Sequence, residues 1–456
     1  MGSLIHSDYW PLMVLLLSVV MVVLLIARWR VHPFIALMLS AIFVGIISPD
    51  IPIIPGQHPL ITVVELPMAE FGIMAGKIAW VIALAAVIGT AMMESGAAEQ
   101  IVNWLLKTLG EKRASLALII SGFILSIPVF FDTVFFLLIP LGITLARKTG
   151  RDFVLYVAAI GGGAAISHSI VPPTPGPLIM AETLGLALGT VIIAGLATGI
   201  VPMLVVHGVA KWLNKKLPIP VRVTSAEVNS VDGRPHLALS VLPVVVPLLL
   251  ISMASTIEVV TDDVPGWIAF AGNKNIAMSA GALIAIILWA QTRKLGLSDL
   301  REAMAKPLAM GGIIILITSA GGAYGAMINY SGIGEAISHA TQGFNVHYLL
   351  LAWMIAAVMK TAQGSGTVSM ITSAVIMAAL IGPEVQLPYH RVYILLSIGF
   401  GSMFISWMND SGFWVVVRMS GFSEKEGVKT WTFVLATIAV TGLLQVLLLA
   451  WLFPLK

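Results

Sequence analysis

Four short stretches put charged or polar groups inside otherwise apolar runs, and each has the chemistry to handle an anion or a proton. The first, Ile127-Pro128-Val129-Phe130-Phe131-Asp132-Thr133, carries an acid. Inserting a carboxylate into a bilayer costs about 2.5 to 3.5 kcal/mol, so an acid kept there points to function. Asp132, with Thr133 beside it, is a candidate for substrate contact and for loading and releasing a proton. The plainer role is to cap a half-helix by accepting backbone N–H bonds. The second stretch, Ser167 to Pro177, contains His168 and Thr174 and has prolines at 172, 173, 175 and 177. A helix cannot continue through such a string, and the freed backbone groups need polar partners. Half-helix N-termini at such a break attract anions, and histidine changes charge near neutral pH. His168 is therefore a candidate for substrate or proton contact, the alternative being a hydrogen-bonded core residue.

The third stretch, Thr361-Ala362-Gln363-Gly364-Ser365-Gly366-Thr367, combines hydroxyls with glycines that let backbone approach a ligand. Close packing of helices on small residues would use the same composition. Lys360, just before it, is the one cation deep in an apolar run. It either attracts a carboxylate or neutralises Asp132 or Asp410. In the fourth, Ser406-Trp407-Met408-Asn409-Asp410-Ser411-Gly412-Phe413-Trp414, an amide and a carboxylate sit at a second break. Asn409 and Asp410 are candidate ligands, with helix capping as the simpler alternative. The candidate binding set is thus Asp132, Thr133, Ser167, His168, Thr174, Gly364, Ser365, Gly366, Thr367, Asn409 and Asp410. Proton coupling is assigned to Asp132, His168 and Asp410.

The elements that must position these groups are membrane helices. Of 456 residues, 58% are hydrophobic and 10% charged, where a soluble domain has about 25% charged. Blocks long enough to cross are Trp10 to Arg28, Pro33 to Ser48, Ala75 to Met93, Phe153 to Ala181, Leu186 to Ala210, Leu237 to Ile257, Asn275 to Gln291, Pro307 to Ile328, Arg391 to Val417 and Trp431 to Phe453. Residues 114–146 and 347–380 are apolar but interrupted midway, and read as re-entrant hairpins. The expected fold is an all-α polytopic membrane protein. Residues 1–210 form five spans with one hairpin, 211–236 a cytoplasmic linker, and 237–456 five spans with the other hairpin.

Basic clusters at Arg28/Arg30, Lys107 to Arg113, Arg147 to Arg151, Lys211 to Arg222, Arg293 to Arg301 and Arg418 to Lys429 fall on one side of this layout. That side is the cytoplasm, so both termini face outward. Short matches link the halves: Ser95 and Glu99 recur 236 residues on as Ser331 and Glu335, Thr133-Val134 aligns with Thr367-Val368, and Ile166-Ser167 with Ile405-Ser406. An odd number of spans precedes the second copy, which inverts it, the pattern expected of alternating-access carriers. Each repeat then holds one hairpin and one broken helix.

Other features carry less. Glu94, Glu99 and Glu335 read as solvated faces of interfacial stretches, and Trp10, Trp80 and Trp431 as interface anchors or packing. There is no cysteine, no phosphate loop, no H-E-x-x-H and no nucleophile elbow, so neither ATP hydrolysis nor intramembrane hydrolysis is expected. The net charge of +3 gives no reason to expect nucleic acid. An anion channel or facilitator remains the alternative class.

The string Ser167-His168 with Val171 to Pro177, the turn Gly364-Ser365-Gly366-Thr367-Val368 and the string Asn409 to Trp414 resemble signature stretches of the gluconate permease (GntP) family, over nearly the whole chain. That resemblance implies a bacterial inner-membrane protein with periplasmic termini, often a homodimer, working by an elevator-type movement. It implies import of gluconate or a related sugar acid with H+ and no bound cofactor. D-serine or another small organic anion is the alternative substrate, and Na+ the second choice of coupling ion. Gluconate-transporting members carry a glutamate where this chain has Asp132.

Overall fold

The computed structural model describes residues 10–49, 51–52, 56, 58–222, 235–261, 264–332, 336, 347–382, 386–408 and 410–455. Among these the secondary structure is helical throughout. In chain order the helices are α1 (Trp10–Val23, prolonged by a π-helical turn Leu24–Arg28), α2 (Pro33–Ile47), α3 (Pro59–Glu94), α4 (Ala97–Leu109), α5 (Ala114–Leu125), α6 (Phe131–Thr149), α7 (Phe153–Ile170), α8 (Pro175–Thr183), α9 (Leu188–Lys216) and α10 (Leu237–Val260). There follow α11 (Gly266–Gly272), α12 (Lys274–Arg293), α13 (Leu297–Tyr330), α14 (Tyr348–Gln363), α15 (Gly366–Ile381), α16 (Val392–Gly401), α17 (Ser411–Ser420), α18 (Glu424–Gly427), a π-helical turn Val428–Thr432 and α19 (Phe433–Leu452). Among the described residues, seven helices are long and apolar enough to cross a membrane.

Each of the two stretches expected as a hairpin is a pair of helices. α5 and α6 are joined through residues 126–130, and α14 and α15 through Gly364 and Ser365. Both expected breaks are present too. The prolines separate α7 from α8, while the span expected over Arg391 to Val417 is two ten-residue helices, α16 and α17. The elements recur in order: a long helix (α3, α13), a helix pair (α5–α6, α14–α15), a broken helix (α7–α8, α16–α17) and a final long helix (α9, α19).

Two boundaries differ from the sequence reading. The span expected to begin at Ala75 starts at Pro59, because Pro at the first helical position and the His58 side chain, accepting from Leu60 N, initiate the helix earlier. The linker expected from residue 211 begins only after Lys216, since α9 continues through its basic end, where lysines suit the helix dipole.

α3 packs along α13, with α2 and α12 flanking them. The helix pairs, broken helices and α9 and α19 form the larger core, in which α7 packs on α5, α6 and α9. From Phe153 to Ala181 every residue is buried except His168, and α16 is buried from end to end. The two broken helices therefore run through the middle of the protein, where an interrupted backbone is shielded from lipid.

Candidate functional site

Four helices begin at one place. A cavity of about 430 Å³ is lined by Phe131, Asp132 and Thr133 in the first turn of α6, by Pro175 at the start of α8, by Ser365, Gly366 and Thr367 at the start of α15, and by Asp410, Ser411 and Gly412 at the start of α17. Each start follows from local sequence. Pro175 is pre-set for a first helical position. Gly364 ends α14 with φ of 80°, a left-handed conformation glycine adopts without strain. Ser365 then caps α15, its hydroxyl accepting from Val368 N at 3.3 Å. Asp410 caps α17, accepting from Gly412 N at 3.0 Å. A helix N-terminus carries the equivalent of about half a positive charge and presents unpaired N–H groups, so four of them around one cavity favour an anion.

The side-chain charges are arranged unequally. Lys360 Nζ donates to Asp410 Oδ2 at 2.7 Å and to the Gly364 carbonyl at 2.9 Å, with both residues buried. Ser406 also donates to Asp410 Oδ2. The cation whose role the sequence left open thus neutralises Asp410 and ties the tip of the second helix pair to the second break. Asp132, half-buried in the same wall, has no hydrogen bond or ion pair among the described residues. His168 also lines the cavity, and its Nδ1 is buried without a partner among the described residues.

Seven of the eleven expected binding residues line the cavity: Asp132, Thr133, His168, Ser365, Gly366, Thr367 and Asp410. Ser167 is fully buried behind the wall. Thr174 closes the first break, its hydroxyl donating to the carbonyls of His168 at 3.0 Å and Val171 at 2.7 Å. Gly364 lies in the turn behind Ser365, and Asn409 falls outside the described residues.

The wall also holds residues given no role by the sequence. Met310, Ile313, Ile314, Ile317 and Thr318 form one stripe of α13, and Ser169 and Ser402 add hydroxyls near the breaks. The α13 stripe repeats every three to four residues, a spacing shared by helices that face lipid, so it carried no signal. Trp431, expected at an interface or in packing, lines this cavity and stacks on Phe131 with ring centroids 5.5 Å apart.

Buried broken helices, apolar spans and one polar cavity at their ends define a multi-pass membrane transporter for a small solute. The family model for GntP family permeases matches residues 10–452, and the chain belongs to that family. It is a permease and not an enzyme. An uncharacterized permease of Haemophilus influenzae is 31% identical over 92% of this chain and 88% of its own length. A gluconate permease of Pseudomonas aeruginosa is 29% identical over 97% of this chain and 98% of its own. Among solved structures, the Alcanivorax borkumensis YdaH transporter shares the fold, with a TM-score of 0.67 over 93% of this chain and 100% of that one at 15% identity.

Proposed function

We propose that this permease imports a small hydroxylated carboxylate, gluconate or a related sugar acid, across the bacterial inner membrane by proton symport. The observation that carries the reading is the convergence of four helix N-termini on a cavity whose one uncompensated charge among the described residues is the Asp132 carboxylate. The Lys360–Asp410 pair is neutral as a unit. With Asp132 ionised, a bound carboxylate at about 5 Å is opposed by roughly 3 kcal/mol at an effective dielectric near 20. Protonating Asp132 removes that repulsion and leaves the N-termini for the anion. Proton and anion then favour each other's binding, and by linkage the coupling is reciprocal. His168 and Asp410 complete the proposed proton-handling set. Serines, threonines and backbone N–H groups of the four helix starts serve the hydroxyls and carboxylate.

The recurring order of elements supports two inverted repeats, each with a re-entrant helix pair, whose bundle moves against α3 and α13 in an elevator-type cycle. The protein is proposed to act as a homodimer with both termini periplasmic. The substrate assignment draws on the sugar-acid relatives, and the test is uptake of labelled gluconate by proteoliposomes under an inward proton or sodium gradient. Stimulation by the proton gradient, with competition by sugar acids, is expected. Uptake driven by sodium alone would overturn the coupling ion, and competition only by D-serine or dicarboxylates would overturn the substrate.

A further inference from the structure

We propose that the seam between α9 and α19 binds an anionic diacyl phospholipid at its basic end, with Lys216 and Lys429 holding the phosphate and an acyl chain lying against the two helices.

α9 and α19 are the final long helices of the two halves, and they pack along each other. Both carry exposed apolar residues, Leu204 and Val205 on α9 and Val440 and Leu444 on α19, the surface that a spanning helix gives to acyl chains. Toward the end of α9 and the start of α19 two aromatic rings meet. Trp212 and Phe433 have ring centroids 5.7 Å apart, yet they stay 46% and 44% exposed. Rings with one apolar side and one wet side collect at headgroup level in a bilayer. Lysines surround this platform. Lys216 Nζ lies 4.5 Å from the centre of the Trp212 ring, a cation–π contact that holds the ammonium at the platform's edge. Lys429 is exposed one turn before Phe433, and Lys211 and Lys215 are exposed beside Trp212 in sequence. None of the four forms an ion pair among the described residues. The acids of α18 do not offset them: Glu426 is held by Arg222 through two bonds of 2.7 and 2.8 Å, and Glu424 stands next to Lys425.

The helix dipole favours Lys215 and Lys216 at the end of α9. It gives no such reason for Lys429, near the start of the helical run Glu424–Leu452. A phosphate at the seam accounts for both sets. A soluble anion would use the lysines and leave the aromatic platform and apolar faces idle, whereas a diacyl phospholipid uses all three. A zwitterionic headgroup would bring its own cation to the lysines, so the favoured lipid has a net negative headgroup. The two lysines come from different halves of the chain, and one lipid would tie the basic ends of both helices together.

The test uses the full chain purified in a neutral detergent and a phosphatidylglycerol labelled on one acyl chain. Unlabelled dioleoylphosphatidylglycerol, dioleoylphosphatidylcholine and glycerol 3-phosphate serve as competitors. Phosphatidylglycerol is expected to displace the label about tenfold better than phosphatidylcholine, and glycerol 3-phosphate to displace little of it. Lys216→Gln and Lys429→Gln, both at exposed positions, are each expected to raise the dissociation constant of the labelled lipid about fivefold, and the double variant to raise it more than about tenfold. Lys107→Gln, at an exposed position near the end of α4 and outside the patch, is expected to leave it unchanged. Equal displacement by the two lipids, or a loss in Lys107→Gln as large as in the other two, would overturn the site in favour of diffuse attraction. Displacement by glycerol 3-phosphate as strong as by phosphatidylglycerol would overturn the lipid in favour of a soluble anion.

Discussion

Lys360 and Asp410 are tolerable in an apolar interior because each satisfies the other, with the Gly364 carbonyl and Ser406 taking up the remaining bonds. Removing one member of such a pair leaves a buried uncompensated charge and costs about 3 to 5 kcal/mol, whereas removing both is often near neutral. Lys360→Met and Asp410→Asn are therefore each expected to lower the thermal unfolding midpoint in detergent sharply, and the double variant to recover most of the loss. Equal, additive losses would show that the two groups do not act as a pair. The charges themselves were legible in the sequence as isolated polar residues in apolar runs. Their pairing was not, because Lys360 and Asp410 are 50 residues apart and nothing local distinguishes Asp410 from Asp132 as the partner. Ser169 and Trp431 were hidden for a different reason: a small hydroxyl and an aromatic are ordinary in membrane helices, and only the fold brings them to the cavity.

Close approach of elements around the breaks can be tested through glycine. A Cβ added at Gly163 of α7 would lie 2.1 Å from the Ile119 carbonyl oxygen of α5, a backbone contact that cannot turn aside. Gly163→Ala is expected to destabilise the protein by about 1 to 3 kcal/mol through overpacking. Gly208→Ala, in the interior of α9 with no atom within 4 Å of the added carbon, is expected to be neutral or to stabilise by up to about 1 kcal/mol. Thermal unfolding of the two variants side by side checks both, and matching shifts would contradict the packing account. At this scale the breaks were the most legible feature. Prolines cannot be threaded through a helix, and the Asn409-Asp410-Ser411-Gly412 string marks a cap. The true length of α3 was not legible, since Glu65 and Glu70 make residues 59–74 look like a loop. Glu70 is in fact tied to α13, accepting from the Tyr330 hydroxyl at 2.7 Å.

For the molecule as a whole, the halves are joined at their edges by ion pairs, among them Lys274 at the start of α12 with Glu182 at the end of α8. On the proposed mechanism α8 travels with the moving bundle and α12 stays with the framework, so this pair must part in each cycle. The chain contains no cysteine, so Glu182→Cys with Lys274→Cys can be bridged selectively by a short bifunctional thiol-reactive reagent such as a bis-methanethiosulfonate, which forms reducible disulfides with release of sulfinate. Bridging is expected to halt uptake and reduction to restore it; full uptake by the bridged protein would contradict relative movement of these helices. The sequence reading divided the chain into two halves at the linker and the basic clusters, but it did not bring out the meeting of four helix starts, because each of those signals is only a local cap or turn. That meeting carries the central claim, a lone titratable acid coupling proton to anion. The most direct test compares wild-type protein with Asp132→Asn in proteoliposomes, measuring accumulation of labelled gluconate against its gradient under an inward proton gradient. The account predicts concentrative uptake by the wild type and none by Asp132→Asn, and proton-driven accumulation by Asp132→Asn at the wild-type level would contradict it.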